Sequence, residues 1–268
     1  MRAVLFLLIV VFALPAYAVE LEGQFRQGGV IFGKATPGTK VSLDGRVLQV
    51  SPSGDFVFGF GRDAPPKAVL RIEWAGQVAE ERKLDVSPRK YRIQRIDGLP
   101  KRMVTPPPEV LARIKRENAS IAKVRSNDTP ALHFRGRWLR PSIGKVTGVY
   151  GSQRVLNGKP RRPHFGIDFA APVGTQVVAP AGGTVVLAHK DMYYTGGTII
   201  LDHGHGLTSA FLHLSALSVK QGDAVKRGQR IGAIGATGRA TGPHLDWRIN
   251  WFDKRVDPAF LLSEKDRK

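Results

Sequence analysis

Glycine and proline break this chain into short apolar runs almost from end to end, with 30 Gly and 18 Pro among 268 residues. Such punctuation leaves little room for long helices and favours strands joined by tight turns. Toward the N-terminus, Val30-Ile31-Phe32, Val41-Ser42-Leu43 and Phe56-Val57-Phe58 are separated by Gly28-Gly29, Pro37-Gly38, Asp44-Gly45 and Ser53-Gly54. Asp44-Gly45 between two apolar runs is a strong hairpin signal. Val69 to Trp74 and Tyr91 to Ile93 continue the pattern. A mainly β fold is expected, beginning with a small β-sandwich over residues 19–100. That stretch holds no histidine and its acids are dispersed, so it reads as a structural or docking module.

Thr105-Pro106-Pro107-Pro108 ends the strand pattern, and residues 109–125 read as one helix, with proline suited to its first turn. Val110, Leu111, Ile114, Ile121 and Val124 give it an interrupted apolar stripe. Residues 101–139 are therefore expected to form a helical linker packed on one domain. From residue 140 to 268 the chain is again rich in strand and turn signals, and six of its seven histidines lie there.

The first 18 residues read as a secretory signal peptide: Arg2, an apolar run from Ala3 to Leu14, then Ala16-Tyr17-Ala18 as the cleavage site. The run falls short of the ~20 apolar residues that span a bilayer. The mature chain is expected to begin at Val19 and to work in the periplasm or outside the cell, without stable membrane insertion. The absence of cysteine removes disulfides, thiolate metal sites and cysteine nucleophiles together. Any metal must be held by His, Asp or Glu. With 41 basic and 22 acidic residues the formal charge is +19, which attracts polyanions without choosing among nucleic acid, anionic lipid and an acidic wall polymer.

The chemistry gathers in three places. His244-Leu245-Asp246-Trp247-Arg248-Ile249 alternates polar and apolar, so as a strand it puts His244, Asp246 and Arg248 on one face and the apolar residues in the core. In Ser209-Ala210-Phe211-Leu212-His213, the same alternation assigns His213 to the face of Phe211 and Ser209. His164 and Asp168, four apart, would be about 13 Å apart if fully extended. His164 must then bend back from a loop, which Gly166 would permit.

These blocks resemble a known family, the lysostaphin-type zinc metallopeptidases, which cleave peptide bonds of bacterial peptidoglycan. The likeness covers roughly residues 145–260. It is carried by His164-Phe165-Gly166-Ile167-Asp168-Phe169, Ala171-Pro172-Val173-Gly174-Thr175, Phe211-Leu212-His213-Leu214-Ser215, residues 219–225 and residues 235–245. The resemblance implies a compact antiparallel β fold with a groove leading to one zinc per chain. It implies His164 and Asp168 as metal ligands, and His213 and His244 as catalytic residues. The third ligand position, a histidine in the family, is Asp246 here. One His and two Asp neutralise a divalent ion, so the centre should polarise a carbonyl less, and oxygen donors would admit manganese or another divalent metal. Arg154, Tyr193 and Tyr194 are candidates to line the groove. His203 and His205 read as structural, and His133 and His189 as surface residues.

The function expected is an exported, metal-dependent endopeptidase acting as a monomer on peptidoglycan peptides. The alternative is a non-catalytic relative that binds wall or regulates another hydrolase. Nucleic-acid binding is set aside because of the export signal and the absence of a recognised binding motif.

Overall fold

The computed structural model describes residues 18–98 and 104–267; the signal-peptide stretch up to residue 17 lies outside them. The fold is mainly β. Its N-terminal region forms two antiparallel sheets. One orders β1 (Val19–Gly23), β2 (Val30–Ala35) and β5 (Asp55–Gly59). The other orders β4 (Arg46–Leu48), β3 (Lys40–Leu43), β6 (Lys67–Glu73) and β7 (Glu80–Asp85). The Asp44-Gly45 turn joins β3 to β4 as its sequence predicts. Its residues take φ of 47° and 83°, the positive values that a two-residue hairpin of matching twist requires.

The buried faces of these sheets do not close on themselves alone. Ile31, Phe56, Phe58, Leu70 and Ile72 belong to one contiguous apolar core with Phe169, Phe211, Trp247 and Ile249 from the C-terminal half. Arg89 Nη1, 2.8 Å from buried Asp257 Oδ2, ties the two halves with an ion pair. The helix α1 (Pro108–Arg125) starts at paired prolines with Glu109 in its first turn and ends with Lys123 and Arg125 in its last, the polarity that suits its dipole. None of its residues is fully buried. Ile121 and Val124 pack on a small second cluster that includes Leu187, Ile200 and Leu212, and Leu111 stays exposed.

The large sheet follows the order β17 (Ala224–Val225), β14 (Gly183–Met192), β15 (Gly196–Gly204), β16 (Leu207–Leu217), β19 (His244–Trp251), β12 (Gly166–Ala170), β9 (Lys145–Gly148). Off this path, β18 (Arg230–Ile234) pairs with β13 (Gln176–Val178) and with β16, and β20 (Lys254–Val256) pairs with β19. A third small sheet joins distant parts of the chain. In it β10 (Gln153–Leu156) pairs antiparallel with β11 (Lys159–Pro160) and parallel with β8 (Ile93–Ile96). The N-terminal region thereby supplies a strand to the edge of the candidate site.

Candidate metal centre

The centre is built on one row of residues crossing four strands. Asp168 of β12 faces Asp246 of β19; on the outer sides Gly148 of β9 faces Asp168 and Leu212 of β16 faces Asp246. The next row sets Gly166 and Ala210 on either side of Arg248. Leu245, Trp247 and Ile249 are fully buried in the core, so the alternation read from the sequence holds along β19. Small residues beside the carboxylates are a spatial necessity. A Cβ on Gly148 would overlap the Asp168 carboxylate, and one on Gly166 would overlap Asp246 Oδ1 and the Trp247 carbonyl. Gly166 was expected to supply a bend. It lies inside β12 without a positive φ, and what it supplies is room.

His164 does reach the row from a loop. The loop is clasped to its neighbour by the Gly151 N–H donating to the His164 carbonyl at 2.7 Å and the His164 N–H donating to the Ser152 carbonyl at 2.8 Å. Its ring is buried between the two carboxylates, with Nε2 3.1 Å from Asp168 Oδ1 and Nδ1 4.0 Å from Asp246 Oδ2. Neither ring nitrogen, nor Asp168 Oδ1, has a hydrogen-bond partner. Buried polar atoms left so are costly. Ligand atoms from His164, Asp168 and Asp246 all lie within 4.8 Å of one another. A divalent cation satisfies such a set, and three protein donors leave it a position for substrate or water.

Two arginines also address this centre. Arg154 Nη2 donates to Asp168 Oδ2 at 3.3 Å. Arg248 Nε donates to Asp246 Oδ1 and Oδ2 at 3.0 and 3.1 Å, and its Nη2 donates to Oδ2. Burial alone would raise the Asp246 pKa, but the Arg248 guanidinium, with smaller help from His164 and His213, outweighs it and holds the carboxyl well below the usual range. The pattern of residues gave Arg248 its face but not this pairing.

His213 and His244 stand beside the row, their ring centroids 4.7 Å apart. The expected placement of His213 with Phe211 and Ser209 does not hold. Phe211 faces Trp247 in the core, whereas His213 takes a left-handed φ of 65°. That conformation breaks the alternation and turns the ring out to His244. Each histidine lies with Nδ1 2.8 Å from a carbonyl, Thr237 for His213 and Gly242 for His244. A carbonyl only accepts, so Nδ1 carries a proton in each ring, and in the neutral ring it is Nε2 that keeps the lone pair. Burial pushes the His213 pKa down to about 4, so its imidazole is neutral at pH 7.

A cavity of about 290 Å³ opens over these groups. Asp168, His213, His244, Arg154 and Arg239 line it, and β8 adds Gln94 and Ile96. Tyr193 and Tyr194 are set back from it: their rings pack on one another at 5.0 Å, and the Arg239 guanidinium lies 4.5 Å over Tyr194. Sequence reasoning missed Arg239, although it sits inside a block already singled out. Of the other histidines, His203 is buried between the Gly182 carbonyl and the Ser209 hydroxyl at 2.5 and 2.7 Å. His205 packs on Phe134, and His133 and His189 are exposed.

The profile of peptidase family M23 matches residues 162–258, which include every residue of the row apart from Gly148. Over 87 residues the chain is 46% identical to the peptidoglycan DD-endopeptidase ShyA of Vibrio cholerae, covering 32% of this chain and 20% of that protein. Over 98 residues it is 41% identical to the DD-carboxypeptidase/endopeptidase Mpg of Neisseria meningitidis, covering 37% and 22%. The chain thus spans about a fifth of the length of these curated relatives. A solved structure assigned to peptidase M23, from Pseudomonas aeruginosa, is 31% identical and superposes with a TM-score of 0.71, covering 91% of this chain and 96% of that one. Extending over both halves, that match reaches beyond the centre itself, and the chain belongs to peptidase family M23.

Proposed function

We propose that this protein is an exported, metal-dependent endopeptidase that hydrolyses peptide cross-links of bacterial peptidoglycan, with zinc as its metal. One observation carries the reading: buried, unsatisfied donors of His164 and Asp168 converge with Asp246, and Asp168 opens on a cavity that His213 and His244 also line. His164, Asp168 and Asp246 would hold the metal, which supplies Lewis-acid polarisation of the scissile carbonyl. His213 and His244 orient the attacking water and accept its proton at Nε2, a role that neutral imidazoles fill near pH 7. Arg154 and Arg239 place positive charge on the cavity wall, where it can hold a carboxylate of the peptide or the developing oxyanion. The named activity of relatives that are 46% and 41% identical over about a third of the chain supports peptidoglycan as substrate. The export reading rests on residues 1–18; among the described residues no helix is long and apolar enough to cross a membrane.

Metal content after purification, paired with digestion of purified muropeptides, tests the proposal. Stoichiometric metal with new peptide termini is the expected result. One observation favours the second reading, a non-catalytic wall-binding relative: Arg248 engages both oxygens of Asp246. Wall binding with neither metal nor cleavage would decide for it.

A further inference from the structure

We infer that Arg248 is a built-in competitor for the cation at this centre: it holds Asp246 in an ion pair that a divalent metal must break. The inference rests on His164, Asp168 and Asp246 being the metal donors, and deepens that reading.

The three donors are not equivalent. His164 and Asp168 present buried atoms that nothing satisfies. Asp246 presents none, because the Arg248 fork takes both of its oxygens. A planar guanidinium matches a carboxylate in this bidentate way, and Lys or Gln would not. A metal drawing on the same carboxylate would bring two further positive charges within a few ångströms of the guanidinium. Asp246 is 1% exposed, so solvent does little to screen that repulsion.

Among the described residues, Arg248 finds little other acid to turn to. The negative groups that act on it are Asp246 and Asp168. Arg125 of α1 and Arg255 of β20, which face it from two packed elements, are cations that repel it. Asp168 is already engaged by Arg154 at 3.3 Å. The Arg248 side chain keeps 21% of its exposure, which leaves it a path to solvent when a metal arrives. The two guanidiniums of Arg154 and Arg248 balance the charge of the two carboxylates, so tolerance of those carboxylates in the fold does not depend on a metal. Position 248 also explains why an aspartate suits position 246: a histidine there could not accept the fork. The two residues act as a unit.

The test uses the full chain, stripped of metal with a chelator. Zinc affinity is measured by competition with a chromogenic chelator for the wild type, Arg248→Gln, Arg248→Lys and His164→Ala, with circular dichroism as the check on folding. Arg248→Gln should bind zinc at least about tenfold more tightly than wild type, the scale on which partners of metal ligands act. Arg248→Lys, which keeps the charge and loses the fork, should fall between them. Equal or weaker binding by a folded Arg248→Gln overturns the inference. If that variant fails to fold, the wild-type Arg248 Nε–H nuclear magnetic resonance signal replaces it. Its shift and faster exchange on adding zinc support the competition, and an unchanged signal with zinc bound overturns it. The metal assignment fails separately. Zinc binding that His164→Ala leaves untouched, or no binding by any variant, removes the centre and the competitor together. Binding lost in His164→Ala but unmoved in Arg248→Gln removes only the competitor.

Discussion

Asp168 and Asp246 face each other directly across the β12–β19 ladder, and both are buried, at 6% and 1% exposure. Like charges directly opposed on neighbouring strands repel, and burial adds to the cost. Each carboxylate is therefore paired with its own arginine, Arg154 or Arg248, while the His164 ring lies between them. A fold does not need this arrangement for its stability. Such a violation of local rules, with its compensation, is expected where a chain carries chemistry.

His164→Ala should lose the metal and all hydrolysis while the fold survives. The loop is fixed by backbone hydrogen bonds to Gly151 and Ser152, which the substitution leaves in place, whereas the site loses a full coordination bond. Elemental analysis, muropeptide digestion and a melting curve measure the three effects. Wild-type turnover in this variant would remove His164 from the centre.

Gly166→Ala should destabilise the protein by about 1–3 kcal/mol, the usual cost of overpacking, and weaken metal binding as well. Its methyl group meets Asp246 and the backbone carbonyl of Trp247, and the carbonyl cannot step aside without moving β19. Gly61→Ala is the control, since only the Lys254 side chain lies near, at 3.8 Å; it should stay within about 0.5 kcal/mol of wild type. Urea unfolding compares the two. Equal stability of both variants would show that β12 has slack at this point.

Stability should fall as the pH drops from about 6.5 toward 4, in part through His203. Burial holds its pKa at about 4, against the ordinary 6.5 of an exposed imidazole. The folded protein keeps the ring neutral while the unfolded chain takes up a proton, so acid favours unfolding across that window and the effect levels off below it. His213, also lowered to about 4 by burial, adds to the same window. His203→Asn keeps a donor for the Gly182 carbonyl and cannot titrate. Its unfolding free energy should therefore lose less between pH 7 and 4.5, by up to roughly 3 kcal/mol. Parallel losses in both proteins would take His203 out of the account.

Local signals in the sequence reached far into this site. Alternation along residues 244–249 placed Asp246 opposite the core, and the Asp44-Gly45 turn was legible because its dihedral demands are met by two adjacent residues. The pairing of β8 with β10 was not legible: it joins Gln94 to Arg154 across a long, helical detour, and register between distant strands leaves no local mark. The reversal at His213 was hidden for a different reason. A positive φ on a non-glycine residue is imposed by its surroundings, here a ladder with β19 that ends at Leu212, so counting residues along β16 assigned it to the wrong face. Gly166 read as a bend and Gly148 drew no reading at all, and the purpose of both shows only once the carboxylates they accommodate are in place.

Asp246 is where the chain leaves the histidine pattern it resembles, and its variants discriminate best. Asp246→Ala removes a donor and also strands Arg248, a partly enclosed cation whose remaining neighbours include Arg125 and Arg255. Metal affinity should fall, and stability should fall with it by about 3–5 kcal/mol, the cost of breaking a buried pair from one side. Asp246→His restores an imidazole donor, which suits zinc better than manganese, but a histidine cannot accept the Arg248 fork. This variant should therefore keep zinc, prefer it more strongly over manganese than wild type does, and still lose part of the stability. Adding Arg248→Gln to Asp246→His should recover that stability, because the stranded charge is gone. Zinc and manganese titrations of the four proteins, each with a urea unfolding curve, separate the two roles of the carboxylate. Metal affinities that do not change across the series would leave Asp246 as a structural counter-ion to Arg248 and nothing more, and His164 and Asp168 would then lack their third donor.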